Sequence, residues 1–292
     1  MDLAEFEEKE FEKPLYNQLE DGSREVWTPG QCFEYYFGID YAGNIHSKKF
    51  WDRFGIVPHG VILDNYNFDY IWKTRKHRRN LPDFRLNLFI QAKRPFLHTG
   101  TGTKSIYNCP YFSFKINKHQ QEVLEQLVDV LEDHALIVYA SPVFGSFKEL
   151  YLHTKNGDII EHTSFPKIIQ LSGHTTWNYC DTDKGIACSE QETIRTRSIY
   201  QHISNYIEKN LEKNDKRESD YYEEDHFVVY QNLEFLEGKI VNLLRQNFRD
   251  NSQAEFFLEQ IRDVREFYHY AFRSFAIVKI FCEIFNLDWY IL

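Results

Sequence analysis

The regular alternation of apolar and polar positions is clearest just before Lys93. Leu86, Leu88 and Ile90 alternate with Arg85, Asn87 and Phe89, a period of two that predicts a strand with one face in the core. Pro82-Asp83 opens this stretch as a turn, and Arg94-Pro95 closes it, because proline cannot continue a ladder. Further on, Asn117 is placed to cap a helix whose Val123, Leu124, Leu127, Val128 and Leu131 form an apolar stripe. Ala135 to Ala140 is then almost continuously apolar, as expected of a central strand buried on both faces. Strand, helix and strand in this order imply a right-handed crossover that sets the second strand beside the first.

The pattern is less decisive elsewhere. Thr28-Pro29 is a helix start and Gly38 a stop; a short helix over 47–54 and a strand over 60–63 follow. Two short runs, 149–153 and 158–161, flank Asn156-Gly157, a dipeptide that predicts a β-hairpin. From about Ser189 the character becomes helical. Ile199, Ile203 and Tyr206 share one face. Val229, Leu233, Leu236, Ile240 and Leu243 step by four and three, as do Phe257, Ile261, Val264, Tyr268, Ala271, Phe275, Val278, Cys282 and Phe285. A period of 3.5 holds an apolar seam on one side of a long helix. Two such helices joined at Asp250-Asn251 would make an antiparallel hairpin, its seam closed within the chain or shared with a second copy. Three regions result: an acidic arm over 1–25, an α/β unit over 26–185 and a helical unit over 189–292. The arm reads as solvated, with an acidic plug over a basic groove as the alternative.

Composition narrows the function classes. A chain of 292 residues with 42% hydrophobic and 17% aromatic content can bury a sizeable core. The net charge of −10 excludes a generic polyanion binder, so any nucleic-acid contact must come from a local patch. One such patch exists: Lys73, Arg75, Lys76, Arg78 and Arg79 lie beside Tyr70 and Trp72 and lead straight into Pro82-Asp83. Cations among aromatic rings suit a phosphate backbone, and Arg94 and Lys104 flank the strand on its other side. The five scattered cysteines include no Cys-x-x-Cys pair, which fits reduced thiols in a cytoplasmic protein. With no apolar run of about 18 residues, no membrane span is expected.

The candidate chemistry sits on the first strand. Gln91 and Lys93 are two apart and leave the same face, with Asp83 at the other end of the element. An acid, an amide oxygen and an ammonium group then converge, a plausible niche for a divalent cation and a phosphate. Pro82-Asp83 followed by Gln91-Ala92-Lys93 resembles the PD-(D/E)XK nuclease superfamily, in its Gln-x-Lys branch typified by Mrr-type restriction endonucleases. That resemblance implies a restriction-endonuclease-like mixed central sheet flanked by helices, with an α-helical domain after it. It further implies Mg2+, with Mn2+ able to substitute, held by Asp83, Gln91 and an acid of the first core helix. Glu34 matches that acid by position, with Asp40 as its substitute. Lys93 would serve the attacking water and the phosphoryl charge. Gln120 and Gln121 are followed four residues on by Leu124 and Glu125, so the Gln-x-x-x-Tyr signature of some relatives is absent. The implied activity is DNA cleavage in restriction or anti-phage defence, with a homodimer or a defence partner engaged through the C-terminal helices. The competing classes are a nuclease-fold module that binds DNA or protein without cutting, and a helical adaptor acting through its C-terminal seam.

Overall fold

A computed structural model describes residues 2–20, 26–27, 42–43, 86–99, 107, 109–214, 225–247 and 270–291. The fold is mixed α/β. The described residues form six α-helices: α1 (Glu8–Glu20), α2 (Lys118–Leu131), α3 (Phe147–Asn156), α4 (Ile199–Asn214), α5 (Asp225–Asn247) and α6 (Tyr270–Phe285). The strands are β1 (Asp2–Leu3), β2 (Val26–Trp27), β3 (Ala42–Gly43), β4 (Asn87–Ala92), β5 (Phe96–His98) and β6 (Tyr111–Lys115). They continue with β7 (Ala135–Pro142), β8 (Thr163–Ser164), β9 (Thr176–Tyr179), β10 (Lys184–Cys188), β11 (Glu192–Arg195) and β12 (Asp288–Ile291).

A four-stranded mixed sheet, ordered β12-β4-β7-β8, forms the centre; β4 and β7 run parallel, and β12 is antiparallel to β4. The anticipated crossover through α2 is therefore present. A six-stranded antiparallel sheet, β1-β5-β6-β9-β10-β11, stands beside it, and β2 pairs with β3 alone. Gly185 in β10 is fixed by packing: a Cβ there would lie 2.3 Å from the Trp177 ring, nearer than any side chain tolerates.

Two apolar clusters cover the two faces of β4. Leu88, Ile90 and Ala92 pack with Phe6, Phe11, Leu15 and Leu19 of the N-terminal segment and Ile199, Ile203 and Ile207 of α4. Phe89 packs with Leu124, Leu127, Trp177, Leu236, Ile240, Val278 and Phe281. Both faces of β4 are thus buried, where the alternation had implied one. The covering helices arrive from parts of the chain too distant to read locally.

Two further expectations change. Residues 8–20 form α1, with Phe11, Leu15 and Leu19 fully buried, so the charged residues are one face of an amphipathic helix rather than a solvated arm. The Asn156-Gly157 hairpin is instead a helix end. Ser146 caps α3 with Glu149 in a reciprocal box, and Gly157, at φ 73°, supplies the left-handed C-cap. The seam residues Leu233, Leu236, Ile240, Leu243, Val278, Cys282 and Phe285 are buried within one chain. The core clusters run across the boundary drawn at 185–189, and β12 adds the C-terminus to the central sheet. The expected elements at 28–37, 47–54 and 60–63 and the Asp250-Asn251 joint lie outside the described residues.

Candidate functional site

The C-terminal end of β4 carries the predicted pair. Gln91 is fully buried, and its Nε2 donates to the Phe285 carbonyl at 3.3 Å. Gln120, on the first turn of α2, donates to the same carbonyl at 2.6 Å, and its Oε1 accepts from Lys93 Nζ at 3.0 Å. Gln91 and Lys93 therefore meet in one niche, joined through Gln120 and the end of α6. Lys93 is half-buried, and its ammonium lies 5.5 Å from the centre of the Tyr139 ring. Burial holds it below the ordinary lysine range, with Glu8 opposing that shift. The strand end is fixed from both sides. Lys93 N donates to Ala140 O at 2.8 Å, and Ser141 Oγ donates to Lys93 O at 2.9 Å.

Gln91 Oε1 is buried and accepts no hydrogen bond from the described residues. An orphaned amide oxygen costs about 1–3 kcal/mol. Its Nε2 faces a carbonyl, so exchanging the two amide atoms would set oxygen against oxygen.

Acidic groups come to this end of the molecule from α1 and β12. Glu8 accepts from the Arg94 backbone N–H at 3.3 Å and from Asn286 Nδ2 at 2.7 Å. Burial first, and Asp288 second, push the Glu12 carboxyl from its ordinary 4.5 up to about 7. Asp288, opposite Ile90 in the ladder, is likewise raised by burial. Neither Glu8, Glu12, Asp288 nor Gln120 belonged to the expected set. Glu8 and Glu12 were hidden in a charged stretch read as an arm. Gln120 carries no Gln-x-x-x-Tyr signal in the sequence, since Leu124 rather than a tyrosine lies four residues on.

Among the expected residues, Asp83, Glu34, its substitute Asp40, and the cationic Lys73, Arg75, Lys76, Arg78, Arg79 and Lys104 lie outside the described residues. Arg94 is described and is engaged elsewhere: it donates to Ala4 O and pairs with Glu7 at 2.8 Å. It anchors the N-terminal segment rather than standing open to phosphate. The thiols of Cys109, Cys180, Cys188 and Cys282 are all free, and His174 faces Glu192 at 3.4 Å. No helix among the described residues is long and apolar enough to cross a membrane.

A search of protein-family models, of curated proteins and of solved structures finds no match to the chain.

Proposed function

We propose that the chain is a metal-dependent endonuclease of DNA with a restriction-endonuclease-like fold, acting in restriction or anti-phage defence. The observation that supports this reading is the shared niche of Gln91 and Lys93 at the carboxyl ends of two parallel strands, where open α/β sheets place their ligands. Mg2+ suits the niche to the extent that Gln91 Oε1 is an unpartnered oxygen there and oxygen is the donor such a hard ion takes. Asp83 and Glu34 would complete the oxygen set, and the Glu8 carboxylate acts electrostatically on Lys93. The chemistry contributed by the bound ion would be polarisation of a phosphoryl oxygen and activation of water. Lys93, its proton loosened by burial, would orient that water and offset charge on the phosphoryl group. The basic run over 73–79 would hold the DNA backbone, and two copies would supply one site for each strand of a duplex.

A second reading has its own observation. Gln91 is fully buried and the Lys93 ammonium is already hydrogen-bonded to an amide, which favours a nuclease-fold module that binds without cutting. Incubating supercoiled plasmid with the protein and Mg2+, Mn2+ or EDTA separates the two. The nuclease nicks in a metal-dependent way, and Asp83→Ala and Lys93→Ala abolish nicking. Binding without nicking in all three proteins supports the second reading and discards the first.

A further inference from the structure

His153, Asp158 and His162 lie together on a separate part of the fold, around the C-terminal end of α3. His153 occupies the last turn of that helix. Gly157 reverses the chain, and the backbone N–H groups of Gly157 and Asp158 both donate to His153 O, at 3.0 and 3.2 Å. The reversal brings the Asp158 carboxylate back beside the first ring, with His153 Nδ1 2.8 Å from Asp158 Oδ1. One 3-10 turn later, His162 Nδ1 lies 2.9 Å from the Asp158 carbonyl and 4.0 Å from its Oδ2. The two imidazoles face one another, with centroids 3.9 Å apart and planes tilted by 31°. A donor atom from each of the three residues lies within 4.8 Å of the other two.

We propose that His153, Asp158 and His162 form a binding site for a divalent transition ion of the zinc class. Nδ1 of both rings points at Asp158, so the donors that converge are the two Nδ1 atoms and an Asp158 carboxylate oxygen, and a bound ion takes the place of the proton now shared between His153 Nδ1 and Oδ1. Two nitrogens and one carboxylate oxygen suit zinc rather than Mg2+ or Ca2+, which take all-oxygen sets. The C-terminal end of α3 presents negative partial charge to a cation. The scaffold is already tied down. Gln18 of α1 donates to His153 O at 3.3 Å and accepts from Ile160 N at 3.2 Å, and Val143 N donates to His162 O at 2.9 Å. Side-chain exposure rises from 14% at His153 through 33% at Asp158 to 41% at His162, so the three ligands close one side and leave the coordination open towards solvent. The site is independent of the nuclease reading, and its ligand set separates it from the oxygen niche at Gln91.

The test uses the full chain, stripped with a chelator and titrated with Zn2+ by calorimetry, and with Co2+ followed by visible absorption. Wild type takes up one Zn2+ per chain at this site, excess Mg2+ does not displace it, and Co2+ gives the intense visible bands of low coordination. His162→Ala removes a partly exposed ring, so the fold persists, as circular dichroism will show. Its zinc affinity falls by more than the roughly 10–100-fold that loss of an outer-shell partner costs. Asp158→Asn, which keeps the shape of the side chain, does the same. Zinc uptake unchanged in both variants places the ion elsewhere and overturns the proposal, as does wild-type protein that takes up no zinc at one equivalent.

Discussion

The two faces of β4 solve the same burial problem by different means. Towards α1 and α4 the strand presents Leu88, Ile90 and Ala92, all apolar and all buried. Towards α2, α5 and α6 it presents Asn87, Phe89 and Gln91, of which only Phe89 is apolar, and all three are fully buried too. The first face is held by area alone, at about 25 cal/mol per Å2 of apolar surface removed from water. The second is held by area plus direction. Asn87 and Asn232 exchange reciprocal amide hydrogen bonds at 3.0 Å, Asn87 also donates to His134 O at 3.0 Å, and Trp289 Nε1 donates to Asn87 Oδ1 at 3.3 Å. An apolar face accepts any helix of suitable shape, whereas a polar one accepts only the partner that satisfies it. The polar face is accordingly the one that fixes where α5, β12 and the end of α6 dock, and it is the one that carries the candidate site.

The largest test of that contrast is at Asn87. Asn87→Ala strands the Asn232 amide in the core and takes a donor from His134 O, and an unpaired buried polar group costs about 1–3 kcal/mol. The expected loss is about 2–4 kcal/mol in denaturant unfolding, with the midpoint moved and the slope kept. A double-mutant cycle sharpens it: Asn87→Ala with Asn232→Ala should lose less than the sum of the single changes, by about 0.5–3 kcal/mol. Simple additivity would mean that the amide pair does not act as a unit, and the polar face would then be no more selective than the apolar one.

How much of this was readable in the chain follows the same division. The parallel pair β4 and β7 and the α2 cap at Asn117, which accepts from Gln120 N at 3.1 Å, follow from local period and spacing. The second buried face of β4 does not, because Asn87 and Gln91 are polar and their partners lie 145 and 194 residues away. The same distance hid β12, which returns from the C-terminus to pair with β4. Asn156-Gly157 misled for a different reason. A glycine at positive φ ends a helix as readily as it turns a hairpin, and Ser146 with Glu149, ten residues earlier, is the signal that separates the two. The two histidines and the aspartate around that cap were legible only once the segment was helical.

The apolar face has one polar rim, and it supplies a smaller effect. Glu12 of α1 is buried, and its carboxyl is pushed up to about 7 by burial and by Asp288. Its folded value lies above its unfolded one, so the folded protein holds a proton that the unfolded chain releases between pH 4.5 and about 7. Stability therefore falls as pH rises through that window and is level above it. Glu12→Gln removes the slope. The variant and wild type should be equally stable near the bottom of the window, with the variant ahead at its top by no more than about 3 kcal/mol. Calorimetric melting across the range reads this directly, and parallel profiles for the two proteins would mean that Glu12 titrates normally.

The smallest stability change is expected at Gln91, and there the contrast between the faces becomes one between folding and chemistry. Gln91→Leu has nearly the same volume. It deletes one hydrogen bond of 3.3 Å to Phe285 O, which keeps its shorter bond from Gln120, and it deletes the unpartnered Oε1. A lost bond of about 1 kcal/mol is set against a removed orphan of similar size, so the melting temperature should barely move. Metal-dependent nicking should disappear all the same if that oxygen serves a cation. Gln91→Glu sharpens the point, because a buried carboxylate without a counter-charge costs several kcal/mol and a bound divalent ion offsets it. The Glu variant should therefore melt lower than wild type in EDTA and recover in Mg2+, while Gln91→Leu ignores the ion. Should Mg2+ leave the Glu variant unchanged, position 91 does not face a cation. Asn87 and Gln91 would then belong together as structural amides that orient the C-terminal helices.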